Sequence, residues 1–154
     1  MANVYDRLVQ MGITLPTPPP KAGAYAPVKQ FAGNLVYCSG NGPHIGDEKY
    51  LGKVGRNLTA EEGQKAARNC AINLLANLHA FLGDLNRIKS IAKVLVFVAG
   101  DDGFTMQPFV ANGCSELLVE IFGEEIGSHA RSAVGVNALP GDMAVEIELL
   151  AEVE

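Results

Sequence analysis

The chain has no tryptophan, and its 154 residues include only three cysteines, Cys38, Cys70 and Cys114. No two of them form a CxxC pair. So odd and scattered a set argues against a disulfide framework and suits a reducing compartment, so a cytoplasmic protein is expected. No apolar run approaches the roughly 18 residues that a membrane span requires. The opening residues, MANVYDRLVQ, lack the basic start and apolar stretch of a secretory signal. Positive charge is scarce too: 12 Lys and Arg stand against 17 Asp and Glu, a formal net charge of −5. That balance disfavours any partner held by phosphate neutralisation, nucleic acid first among them, and favours small molecules. His44, His79 and His129 are far apart with no HxxxH spacing, so no metal centre is expected. Neither a GxSxG elbow nor a P-loop occurs, which withdraws support from a serine hydrolase and from nucleoside triphosphate binding.

What is present is the composition of one folded domain, 48% hydrophobic and 19% charged. Residues Val4 to Met11 have helical spacing, but Gly12 and the segment Leu15-Pro16-Thr17-Pro18-Pro19-Pro20 force an extended chain. Residues 1–20 therefore read as an N-terminal arm and 21–154 as a single domain. Val28–Ala32 and Leu35–Ser39 flank Gly33-Asn34, a hairpin signal. Residues 40–57 are glycine-rich without a period and read as a long loop, a type often functional. Thr59 and Glu62 form a capping box, followed by Ala66, Cys70, Leu74, Leu78 and Phe81 at helical spacing and by Gly83 as a left-handed stop. Ile91–Val98 is a β-branched strand, Pro108 opens a second helix ending at Gly123, and Ser132–Val136 and Met143–Leu149 alternate as two more strands. The order (α)ββαβαββ predicts an α+β fold: a mixed sheet with two main helices on one face. The sheet's other face then needs a partner, which makes an oligomer plausible.

Two segments hold residues able to do chemistry. In Ala130-Arg131-Ser132-Ala133-Val134-Gly135-Val136 a lone guanidinium sits at the mouth of a small, apolar strand. It suits either a surface ion pair or a two-pronged clamp on a carboxylate. In Val145-Glu146-Ile147-Glu148-Leu149 the alternation places both glutamates on one strand face. The pair fits a solvated face, or proton transfer by a carboxyl whose pKa burial has raised. Tyr37-Cys38-Ser39-Gly40-Asn41-Gly42 ends a strand in small residues, so backbone NH groups and the Ser39 hydroxyl could approach a ligand. Cys70 and Cys114 fall in helical patterns and read as packed core, and His129 falls close to Arg131.

Together these segments resemble the Rid family, also called YjgF-like or L-PSP-like, whose characterised members are enamine/imine deaminases. The matching pieces are Gly23-Ala24-Tyr25, Tyr37-Cys38-Ser39-Gly40-Asn41, Asn69 to Leu75, Lys93 to Val98, Ala130-Arg131-Ser132, Leu139-Pro140 and Val145-Glu146-Ile147-Glu148, in the family's order. The last three are the specific part. The resemblance implies a chorismate-mutase-like homotrimer with clefts between subunits. It assigns Arg131 to the substrate carboxylate and Glu146 to the attacking water, with Tyr25, Ser39 and Gly40 lining the cleft. Ala133 is a further substrate-binding position by this resemblance, its backbone available to the ligand although many active members have cysteine there. Asn41 stands where glutamine is usual and His129 where proline often precedes Ala-Arg, marking a separate subgroup.

The expected activity is hydrolysis of small 2-imino acids to 2-keto acids and ammonia, without metal or organic cofactor. A non-catalytic binder of small carboxylates is the alternative, needing Arg131 but not Glu146. Ribonuclease or translation-inhibitor activity, a label carried by some relatives, fits the acidic charge less well.

Overall fold

The computed structural model describes residues 3–154. Helix α1, Val4–Gln10, is capped by the Asn3 side chain and buries Val4 and Leu8. The hairpin is made of β1, Val28–Phe31, and β2, Leu35–Asn41, with Phe31 opposite Leu35. Its left-handed residues are Ala32 and Gly33, so the turn begins one residue earlier than Gly33-Asn34 predicts. Asn34 is instead occupied elsewhere: its amide donates to Glu152 and its carbonyl accepts from Val153 NH.

The long helix α2, Ala60–Leu82, begins at the expected capping box. Thr59 Oγ1 accepts from Glu62 NH at 3.1 Å, and a Glu62 carboxylate oxygen accepts from Thr59 NH at 2.7 Å. Gly83, at φ 79°, ends it. Strand β3, Ile88–Ala99, is followed by α3, Gln107–Phe122, which has Pro108 in its first turn, and by the short α4, Glu124–Gly127. Strands β4, Ala130–Val136, and β5, Val145–Val153, complete the chain.

The sheet order is β1-β2-β5-β3-β4. β3 and β4 run parallel, joined through α3, while every other pair is antiparallel. This is the expected α+β fold with a mixed sheet. Strand alternation sends Val94, Val96 and Val98 of β3, and Val145, Ile147 and Leu149 of β5, into the core beneath α2 and α3. Truncating any of these branched side chains to alanine would cost roughly 1–5 kcal/mol. The two helices approach closely at Gly113, where a Cβ would lie 1.9 Å from the Gln64 carbonyl oxygen.

Among the described residues no helix covers the opposite face of the sheet. Phe97, paired with Glu146 on one side and Val134 on the other, belongs to that face. Phe31, Tyr37 and Val134 remain about two-fifths exposed there, at 41%, 39% and 41%. Residues 42–58, without regular periodicity, run along the end of the sheet. Val54 NH bonds to Ala99 O, Gly52 NH to Asp142 O and Ala144 NH to Tyr50 O. Among the described residues no helix is long and apolar enough to cross a membrane.

Candidate active site

Between Cys38, opposite Leu149, and Asn41, opposite Ile147, β2 takes three steps against two on β5. The extra residue is a β-bulge at Ser39-Gly40, and bulges re-aim side chains beside functional sites. Here the bulge makes room. A Cβ on Gly40 would lie 2.5 Å from Glu146 Oε1, so only glycine lets that carboxylate occupy its place. Glu146 is half-buried, and its pKa is raised by loss of solvent first and by the neighbouring Glu148 carboxylate second. Glu148 itself accepts a 2.5 Å hydrogen bond from Tyr37 OH.

Glu146 borders a cavity of about 550 Å³ whose wall also includes Tyr25, Ser39, Gly40, Asn41 and Met143. The proline-rich segment contributes Pro19, Pro20 and Lys21 to the same wall. The Ser39 hydroxyl donates to Ala26 O at 2.7 Å, tying the bulge to the segment that carries Tyr25. Tyr25 OH accepts from Ala22 NH at 3.1 Å.

Two asparagines of α2, Asn73 and Asn77, line the same cavity, and a third, Asn69, is set one turn before them. Asn69, Asn73 and Asn77 recur every four residues and so lie along one helix face. All three are buried. Asn69 donates to Pro43 O, and Asn73 to both Gly42 O and His44 O at 2.9 and 3.0 Å. Asn77 donates to Asn41 Oδ1 at 2.8 Å. Residues 41–44, which carry no ladder partner beyond Asn41, thereby gain acceptor satisfaction from side chains. The apolar positions of the helix do not reveal this set; its four-residue spacing is visible in the sequence but does not by itself tell a buried face from a solvated one. His44 also lines the cavity; its Nδ1 is buried without a partner among the described residues, and burial, then Lys49, lowers its pKa.

Arg131 and Ala133 lie elsewhere. Arg131 pairs with Val94 and Ala133 with Val96, both inward residues, so these two face the helices rather than the open side that Glu146 faces. Strand β3 separates β4 from β5, a lateral distance of about 10 Å at the ~4.8 Å strand spacing. The guanidinium is held by α3: Nη1 donates to Asn112 Oδ1 at 2.8 Å and to Ser115 Oγ at 3.1 Å, and Nη2 reaches Pro108 O at 3.4 Å. Three of its five N–H groups are thus engaged, and those left on Nε and Nη2 have no acceptor among the described residues. Ser115 in turn meets His129 Nε2 at 2.9 Å. Within one chain, then, Tyr25, Ser39, Gly40 and Glu146 share a cavity that Arg131 and Ala133 do not enter. Cys38, Cys70 and Cys114 are buried free thiols. Burial pushes Cys38 and Cys114 up to about 12, which makes them poor nucleophiles. Among the described residues no three His, Cys, Asp or Glu side chains cluster closely enough to hold a metal ion.

Residues 5–153 match the model of the family described as "YjgF/chorismate mutase-like, putative endoribonuclease". Protein TCP17 of Trypanosoma cruzi is 41% identical over 158 aligned positions, covering 97% of this chain and 94% of that one. The crystal structure of Atu1372 from Agrobacterium tumefaciens, a protein of unknown function, superposes with a TM-score of 0.89 at 38% identity, covering 98% of this chain and 92% of the other. That of a putative endoribonuclease from Shewanella oneidensis gives a TM-score of 0.93 at 31% identity over 99% of this chain and all of the other.

Proposed function

The chain belongs to the YjgF/chorismate mutase-like family, and on that premise we propose that it hydrolyses small 2-imino acids to 2-keto acids and ammonia. The observation that carries this reading is the Glu146 carboxylate, half-buried with a raised pKa, seated against Gly40 in the wall of a cavity. A carboxylate whose pKa is raised is a stronger base than an ordinary exposed glutamate and takes a proton from water more readily.

The cation belonging to this site comes from a second copy of the chain. Arg131 lies on the edge strand with two N–H groups that have no acceptor among the described residues, and the uncovered apolar face of the sheet carries Phe31, Tyr37 and Val134. Packing those faces together in a homotrimer lays the β4 edge of one copy beside the cavity of the next, with Ala133 near the ligand. Pro19 and Pro20 at the end of the N-terminal arm, and Lys21 after them, border the same cavity. Three buried free thiols support a reducing setting such as the cytoplasm for the reaction.

The chemistry follows from those positions. Arg131 takes both oxygens of the substrate carboxylate, which holds the imine carbon at a set distance; such positioning is worth up to roughly 7–11 kcal/mol. Water adds to the C=N carbon while its proton passes to Glu146. Glu146 returns the proton to nitrogen, giving the carbinolamine. The carbinolamine hydroxyl proton then passes by way of the same carboxylate to nitrogen as the C–N bond breaks, the electron pair leaving with nitrogen, so C=O forms and ammonia departs. Atoms and charge balance without an added oxidant or reductant.

The test generates 2-aminoacrylate in situ and follows pyruvate release with and without the protein. Acceleration that Glu146→Gln abolishes, with pyruvate binding kept, is expected. No acceleration, with pyruvate binding that depends on Arg131, would leave the carboxylate-binding alternative instead. RNA cleavage lost on changing Arg131 would favour the activity named for the Shewanella relative.

A further inference from the structure

His129 immediately precedes β4, and its ring is fixed at both nitrogens. Nδ1 lies 2.6 Å from Gly127 O at the end of α4, and a carbonyl only accepts, so Nδ1 carries the proton. The neutral ring then leaves Nε2 bare. At 2.9 Å from Ser115 Oγ, Nε2 must accept the serine hydroxyl proton. With its one proton spent on His129, Ser115 Oγ turns its lone pairs outward and receives Arg131 Nη1–H at 3.1 Å. Burial first, and the Arg131 charge as well, keep the ring neutral, opposing the Gly127 bond that favours the charged form.

The consequence is directional. Without an acceptor at position 129 the Ser115 hydroxyl can rotate its proton toward Arg131, and the guanidinium loses one of two bonds that orient Nη1. Asn112 alone then fixes that nitrogen, and the plane of the fork is free to tilt about it. The edge formed by Nε–H and the second Nη2–H is the edge left for a carboxylate, so its aim depends on that plane.

We propose that His129 is a positioning residue that aims the guanidinium of Arg131 through Ser115. Its value for ligand binding rests on the reading of Arg131 as a carboxylate clamp.

The relay is tested on the full chain in two ways. In binding titrations with pyruvate, His129→Leu should weaken affinity by about tenfold, the scale of one hydrogen bond to a charged group. His129→Gln, whose amide oxygen can reach the same hydroxyl, should recover to within about threefold. In a Ser115→Ala background His129→Leu should add less than about twofold, because the link is already cut. Unchanged affinity in His129→Leu, or a full further loss without Ser115, overturns the proposal. ¹⁵N spectra of the histidines read the relay independently of any ligand: the Nδ1–H tautomer is expected at His129, with an Nε2 signal that moves in Ser115→Ala. The opposite tautomer, or an Nε2 signal indifferent to Ser115, overturns it even if pyruvate binds. Spectra as expected, together with pyruvate affinity indifferent to Arg131→Lys, would retain the relay and remove the clamp.

Discussion

Glu146 and Arg131 sit on strands separated by one neighbour, yet they are secured in opposite ways. Around Glu146 space is made by subtraction: a bulge in β2, a glycine with no Cβ, and a carboxylate whose surroundings cost it hydration. Around Arg131 order is added, by three acceptors from α3 and by His129 behind Ser115. A reactive carboxylate gains from poor solvation, because that is what lifts its pKa. A binding cation gains from many acceptors, because they fix the plane in which its remaining donors point.

Arg131→Lys tests the second region most severely. An ammonium lacks the planar fork, so kcat/KM for 2-aminoacrylate should fall by about a hundredfold or more; near-wild-type turnover would remove Arg131 from the site. Asn73→Ala comes next. It leaves the carbonyls of Gly42 and His44 without their donor and should cost roughly 1–3 kcal/mol in urea unfolding, while a loss under about 0.5 kcal/mol would show that water replaces it. Gly40→Ala probes the first region: the new methyl must displace the Glu146 carboxylate, and turnover should drop by roughly tenfold with little change in Tm. Unaltered turnover would mean that Glu146 need not lie where it does.

The smallest effect concerns pH. Glu146 must be ionised to accept a proton, so kcat/KM should fall as pH drops through its raised pKa. Glu148→Gln removes the like charge, the second cause of that shift, so the acid limb should move to lower pH. A limb that stays put would assign the shift to burial alone. The linkage has a definite sign. A carboxyl whose folded pKa is raised favours folding below its unfolded pKa, and that contribution is lost as pH rises through the folded value. Glu146→Gln should therefore raise Tm at pH 7, with the gain fading in acid.

Some of this is legible in the sequence. Thr59 and Glu62 announce the start of α2, since their side chains satisfy donors three residues away, and Gly83 announces its end. The alternation Val145, Ile147, Leu149 showed which face of β5 is buried. The bulge at Ser39-Gly40 was not legible as such, because it exists only relative to the register of β5, more than a hundred residues later. The asparagine stripe on α2 was visible as spacing, but polar residues at helical intervals ordinarily mark a solvated face. Only the chain crossing at residues 41–44 turns it inward. The hairpin turn moved by one residue because Asn34 finds partners in β5.

Local chemistry, written in the order of residues, was enough to settle the α+β class, the ends of the long helix, the buried face of the last strand and the residues to watch. Their grouping was decided by long-range pairing. It placed Tyr25, Ser39, Gly40 and Glu146 around one cavity and sent Arg131 to the far edge with Ser115 and His129. The reason is physical: caps and alternation act within a few residues, whereas strand order and helix crossing are set by how the whole apolar surface is buried at once.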